Sequence, residues 1–250
     1  MSKIFLVIII IFITFYFIFL HKNPLDNLSM ENKLKIYFIN LEHNRDRWEN
    51  NKNKLSNFHR FNAIYGKNLD KNKLIAEGVL SKKNHLKPGS IGCAMSHIEV
   101  MKLIKNQKEK YGLILEDDVL IPSNFSQTFI ELEPYFPNEW DIIFLGGCNV
   151  YGRKYNNKFL IPTKKCCKHN VCCHAVLLKN DNIDKVLNSL TPLQTPIDVQ
   201  LRSNFGELKA FYVYPNIFNQ NKELESSRRI LDGLSSKTKS KLHENITIVE

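Results

Sequence analysis

The stretch YGLILEDDVLI, residues 111–121, sets Glu116, Asp117 and Asp118 side by side between the apolar runs Leu113–Leu115 and Val119–Ile121. Like charges at this spacing repel, and burying even one unpaired carboxylate costs several kcal/mol. A chain can keep such a triplet inside apolar sequence only where the acids reach a polar rim and something positive compensates them. That constraint makes 111–115 a buried strand and 116–118 its carboxyl end, facing a crevice.

The surrounding pattern supplies the sheet. KIYFIN (35–40), HRFNAIYG (59–66), WDIIFLGG (140–147), VCCHAVLLK (171–179) and KAFYVYP (209–215) read as further strands. Between them RDRWENNKNKLS (45–56), a segment around 124–133, and NDNIDKVLNSL (180–190) read as helices, and TPIDVQLRSNF (195–205) as a helix start. The clearest helix is 89–107, where Ile91, Ala94, Met95, Ile98 and Met101 recur at three- and four-residue spacing, with Ser90 as the expected N-cap and Pro88-Gly89 as a turn before it. Residues 67–89 and 152–170 read as Lys- and Asn-rich excursions without regular structure. Strands alternating with helices predict an α/β domain with a mostly parallel sheet, and such sheets bind ligands beyond the carboxyl ends of their strands.

A length of 250 residues suits one ordinary domain. The net charge of +10 invites a nucleic-acid reading, but the chain holds 28 Lys, 28 Asn and only 7 Arg, and no nucleic-acid motif. Arg supplies the planar fork that grips phosphates, so the charge reflects composition and no nucleic-acid partner is expected. Residues 4–20, IFLVIIIIFITFYFIFL, form an uncharged run of 17 followed by HKNP rather than a small-residue cleavage site, which predicts an uncleaved single-pass membrane anchor. The expected organisation is an anchor at 1–22, a stem at 23–34, a catalytic domain at 35–220 and a polar tail at 221–250. The flanking lysines leave the side of the membrane open; a secretory lumen is favoured for a eukaryotic or viral source.

Adjacent hard oxygen donors suit Mg²⁺ or Mn²⁺, so Glu116, Asp117 and Asp118 are candidate metal ligands; the bland alternative is a solvated acidic turn capping the following helix. Asp198, just after Pro196, is a second candidate acid, or a first-turn carboxylate that favours a helix dipole. Arg45 and Arg47 follow Asn40 at the end of the first strand and either meet a diphosphate or lie on a solvated helix face. His97 sits at the edge of the apolar stripe of the 89–107 helix, as a site residue or a hydrogen-bonded core histidine. CCKHNVCCH (166–174) offers zinc, a disulfide, or plain thiols within a strand.

Taken in order, INLEHNRDRW (39–48), FNAIYGKNL (61–69), PGSIGCAMSHIEVMKLI (88–104), YGLILEDDVLI, WDIIFLGG, CCHAVLLKNDNIDKVL (172–187), TPIDVQL (195–201) and VYPNIFNQ (213–220) resemble the blocks of glycosyltransferase family 25, the group of bacterial lipooligosaccharide and collagen galactosyltransferases. The resemblance implies a GT-A fold, a UDP-sugar donor (usually UDP-galactose), a divalent ion, Mn²⁺ or Mg²⁺, and an inverting transfer to a glycan or protein acceptor. It implies metal binding by Glu116, Asp117 and Asp118, donor contacts by Asn40, Arg45, Arg47, Gly66, Ser96 and Asp117, and site roles for His97 and for Asp198 as the base. Tyr65 and Ser90 stand where the family often carries acids. Two rival readings remain: a metal-dependent hydrolase of nucleotide sugars or phosphoesters, and a membrane-anchored sugar-binding relative without catalysis.

Overall fold

The computed structural model describes residues 30–163, 170–221, 223–224, 231–233 and 246–249. The expected anchor and the first part of the stem lie outside these residues, as do Cys166, Cys167 and His169. Among the described residues no helix is long and apolar enough to cross a membrane.

Four strands carry the centre of the molecule: β1 (Leu34–Asn40), β3 (Tyr111–Glu116), β5 (Ile142–Cys148) and β8 (Val171–Lys179). With β2 (Phe58–Asn62), β6 (Val150–Lys154), β7 (Phe159–Pro162), β9 (Ala210–Val213) and β11 (Ile246–Val249) they form one sheet, ordered β11-β6-β7-β9-β5-β8-β3-β1-β2. Following the pairings outward from β1, every strand of this sheet points the same way except β7 and β8. The result is an α/β fold whose central sheet is mostly parallel, as the alternation predicts.

Both faces of the sheet are covered, which explains why its central strands are apolar at almost every position. Alternate side chains go to opposite layers. Tyr37, Ile39, Ile114, Phe144 and Val176 meet α3 (Pro88–Lys105), α5 (Ile183–Ser189) and α6 (Ile197–Ser203) on one face. Ile36, Phe38, Leu113, Leu115 and Ile143 meet α4 (Phe125–Leu132) and an aromatic group including Trp140 and Phe218 on the other.

Several local expectations change. The helix expected over 45–56, α1, spans only Arg45–Glu49, because the Asn-rich stretch beyond it folds into turns and Asn51 donates its side-chain amide to the Arg47 carbonyl at 2.6 Å. The 67–89 segment holds a helix, α2 (Lys71–Ala76), capped by Asp70, whose carboxylate accepts from the backbone N–H of Asn72 and Lys73. Pro88 is the first residue of α3 and not part of a preceding turn; its fixed φ and missing N–H suit that position. Ser90 is therefore inside the first turn and is not the N-cap. The 152–170 excursion contains β6 and β7, joined by a turn in which Asn156 accepts from the backbone of Lys158 and Phe159.

One close approach positions α3. A Cβ on Gly92 would lie 2.5 Å from the Ile64 carbonyl oxygen and 2.7 Å from Gly66 nitrogen; one on Gly66 would lie 1.7 Å from the Pro88 carbonyl oxygen. Both glycines are therefore spacers between α3 and the chain leaving β2. Gly92→Ala should force these backbones apart and cost about 1–3 kcal/mol, read as a lower urea midpoint.

Candidate active site

The carboxyl ends of β1, β2, β3 and β5, with the amino end of the reversed β8, share one rim of the sheet. Asn40, Asn62, Glu116, Cys148 and Cys172 accordingly come to the same edge. A cleft of about 90 Å³ opens there, lined in part by Arg47, Cys93, Ser96, His97, Glu116, Asp117, Asp118 and Leu231. A wider cleft of about 510 Å³ continues from it across the ends of β1 and β2, past Leu41, His43, Asn62, Tyr65 and Asn68.

The three acids diverge, and each meets a different neighbourhood. Asp117 turns toward β1 and α1: its Oδ1 accepts from Arg47 at 2.8 Å and its Oδ2 from the Asn40 side chain at 2.8 Å. This ion pair is largely buried, its side chains 12% and 13% exposed. Burial still raises the Asp117 pKa, with the Arg47 charge pulling against it. Asn40 is fully buried and also accepts from Arg60 at 2.9 Å, so a rigid polar cluster fixes Asp117. Glu116 turns toward α3, where its Oε1 lies 3.0 Å from His97 Nε2 and 3.9 Å from Cys93 Sγ.

Among the described residues no basic side chain is in hydrogen-bond contact with Asp118. Its Oδ2 accepts a long bond from Gln220 at 3.4 Å, and its buried Oδ1 has no hydrogen-bond partner among the described residues. Burial first, then the charges of Glu116 and Asp117, push its pKa up to about 7. A short ladder holds it in place: β4 (Val119–Leu120) pairs antiparallel with β10 (Asn219–Gln220), and the Asp118 carbonyl accepts from Asn221 N–H at 2.6 Å. A hard carboxylate oxygen at a cleft, with no basic partner in contact among the described residues, fits a divalent ion. Asp118 and Glu116 are the residues placed to hold one; Asp117 is already committed to Arg47.

The other expected site residues divide. Ser96 lines the cleft and ties it together, accepting from Ile64 N–H at 2.8 Å and donating to the Gly92 carbonyl at 2.7 Å. Gly66 lies behind the cleft as a spacer. Arg45 points away into solvent, paired with Glu42 and Glu49, because only one side of the short α1 faces the acids. Asp198 is outside the lining; its Oδ2 accepts from Cys172 N–H at 3.1 Å and its Oδ1 from Val199 N–H at 2.9 Å. It reaches the acids through intermediaries, since Cys172 Sγ lies 4.0 Å from the same Gln220 that contacts Asp118. Cys172 is in a disulfide with Cys148, across the neighbouring strands β5 and β8.

Two contributors were not among the expected site residues. Asp232, 142 residues from Ser90, accepts from Gly89 N–H at 2.7 Å and from the Ser90 hydroxyl at 3.1 Å, so it caps α3 from a distance. Its neighbour Leu231 thereby becomes part of the cleft wall. Gln220 lies in the closing block, where nothing in residue type marks it as a partner for an acid.

Two outcomes follow. Asp232→Ala should lower stability by about 1–2 kcal/mol in chemical denaturation, the usual scale of a lost cap. The raised pKa of Asp118 means that the folded protein holds that proton more tightly than the unfolded chain. Its contribution therefore destabilises increasingly as pH rises from near 3.8, the ordinary aspartate value, to about 7, and is constant above. In EDTA, Asp118→Asn should leave Tm unchanged near pH 4 and raise it at pH 8; equal shifts at both would contradict this.

A model described as glycosyltransferase family 25 (LPS biosynthesis protein) matches residues 33–201. Procollagen galactosyltransferase 1-B of Xenopus laevis is 28% identical over 145 residues, 52% of this chain and 23% of that protein. A glycosyltransferase 25 family member of Drosophila melanogaster is 27% identical over 146 residues, 52% of this chain and 23% of that protein. The chain thus spans about a quarter of the length of these curated relatives. Among solved structures, a mutant Drosophila β-1,4-galactosyltransferase 7 complexed with manganese, UDP-Gal and xylobiose superposes with a TM-score of 0.42 at 10% identity, covering 86% of this chain and 82% of that one. Mouse xyloside xylosyltransferase 1 gives 0.33 at 11% identity, covering 88% and 73%. The matched span takes in Arg47, Ser96, His97, the acid triplet and Asp198, and the chain belongs to glycosyltransferase family 25.

Proposed function

We propose that this chain is an inverting hexosyltransferase of GT-A type, moving galactose from UDP-galactose to a hydroxyl of a glycan, lipooligosaccharide or protein, with Mn²⁺ or Mg²⁺ bound. The observation that carries the reading is the buried Asp118 oxygen at the strand rim, which has no hydrogen-bond partner among the described residues. Asp118 and Glu116 would hold the ion, which would supply Lewis-acid stabilisation to the leaving diphosphate.

The remaining roles belong to the chain's own groups. The wider cleft past Leu41, His43 and Tyr65 takes the nucleoside, which sets the diphosphate over the acids. Arg47 stays paired with Asp117 and offers its remaining N–H donors to phosphate oxygens, while Asn40 keeps Asp117 oriented. Ser96 fixes the loop after β2 against α3, and His97 keeps Glu116 in place. The acceptor approaches from the Asp198 side, and Asp198 takes the proton from the attacking hydroxyl. Its attack on the face opposite the leaving group inverts the anomeric centre. The Cys148–Cys172 disulfide supports an oxidising compartment, and the apolar run 4–20 a membrane anchor for it.

The test is a panel of UDP-sugars with Mn²⁺, with nucleotide release and product formation followed with and without acceptor glycans and peptides. UDP-galactose turnover that requires an acceptor and gives inverted product is the expected result. Asp118→Ala should lower that turnover by about 10²–10³-fold while the protein stays folded, the scale of several kcal/mol of lost transition-state stabilisation. Acceptor-independent release would favour the hydrolase, and donor binding without any turnover the inactive relative.

A further inference from the structure

The Glu116 side of the cleft contains a second set of donors with different chemistry. Cys93 and His97 stand one turn apart on α3, so their side chains share a face. That face looks onto the end of β3. Cys93 Sγ, His97 Nε2 and Glu116 Oε1 all lie within 4.8 Å of one another, with Nε2 3.0 Å and Sγ 3.9 Å from the carboxylate oxygen. Tetrahedral zinc, with bonds of about 2.0–2.3 Å, holds its donor atoms roughly 3.3–3.8 Å apart. Small side-chain rotations would close this set around one ion.

We propose that Cys93, His97 and Glu116 form a three-donor zinc site with its fourth position open to the cleft. It shares Glu116 with the oxygen site at Asp118 but differs from it in donor chemistry, and it does not depend on the transfer reaction proposed above. The two sites sort metals by ligand type. Thiolate and imidazole select a thiophilic ion such as Zn²⁺, whereas Mn²⁺ and Mg²⁺ favour the oxygens. Cys93 is partly exposed and lines the cleft, which gives the ion a path in.

The proton balance is defined. Binding removes the Cys93 thiol proton to solvent. The His97 Nε2 lone pair must be freed, so a neutral ring carries its proton on Nδ1. That nitrogen is buried and has no hydrogen-bond partner among the described residues, and the ring as a whole is 1% exposed. The tautomer therefore has a cost, and the site binds zinc more weakly than a closed structural site with supported histidines. Glu116 belongs to both sites, so zinc draws it toward α3.

Cobalt(II) is the probe, titrated into the full chain with its disulfide intact. The wild type should show a near-ultraviolet thiolate-to-cobalt band that one equivalent of Zn²⁺ displaces and excess Mn²⁺ does not. Zn²⁺ binding should release one proton per chain, read in a weakly buffered indicator. Cys93→Ser, a near-isosteric change, should remove that band and weaken Zn²⁺ binding by at least about tenfold, since even changes outside the ligand shell often cost that much. Asp118→Ala should keep the band. A wild type without the band, or a Cys93→Ser protein with the same band and the same Zn²⁺ affinity, would overturn the site.

Discussion

A carboxylate drawn largely out of water, with no basic partner in contact among the described residues, is the constraint around which this cleft is arranged. Asp118 is in that position. The neighbouring acids are not, because successive residues leaving β3 project in different directions. Glu116 finds His97 on α3, and Asp117 finds Arg47 and Asn40 beside β1. Asp118 is left with a long contact to Gln220 and an oxygen that nothing in the described chain satisfies. Folding tolerates this because the β4–β10 ladder and the apolar layers beneath hold the backbone there. The strain is local, and it has the sign that a divalent cation relieves.

The same rim gathers residues that are far apart in sequence. One reversed strand, β8, brings its amino end to the edge where the parallel strands finish, and with it Cys172. The disulfide to Cys148 then fixes the backbone N–H that holds Asp198. Asp198 is thus oriented by two backbone donors and stands off from the acid triplet, with Gln220 and the disulfide between them. That separation suits a division of labour in which the leaving diphosphate and the attacking hydroxyl are served from different sides. It also divides the cleft chemically, with hard oxygens at Asp118 and a mixed sulfur, nitrogen and oxygen group at Cys93, His97 and Glu116.

Much of this was legible in the residues, for definite reasons. A strand that ends in acids can end only at a rim, and α3 has an apolar stripe dense enough to identify it. What failed was whatever depends on neighbours remote in sequence. The Cys148–Cys172 pairing needs the knowledge that β5 and β8 are adjacent, and vicinal cysteines at 172 and 173 hide which of them faces the rim. Arg45 and Arg47 look equivalent until the short α1 chooses which side meets Asp117. Ser90 resembles a cap, but Pro88 starts the helix and the cap is Asp232, from a polar tail that carries no local signal. β6 and β7 were concealed by exposed Arg153 and Lys154 and by the Asn156-Asn157-Lys158 turn between them, which hide the buried Val150, Gly152, Phe159 and Leu160.

The most direct measurement is anomalous diffraction from crystals grown with Mn²⁺ and UDP. The account predicts a manganese peak within bonding distance of Asp118 Oδ1, bridged to the diphosphate, with the uridine over the ends of β1 and β2. A crystal with UDP bound and no manganese at Asp118, or with Asp118 turned out to bulk water, would contradict it.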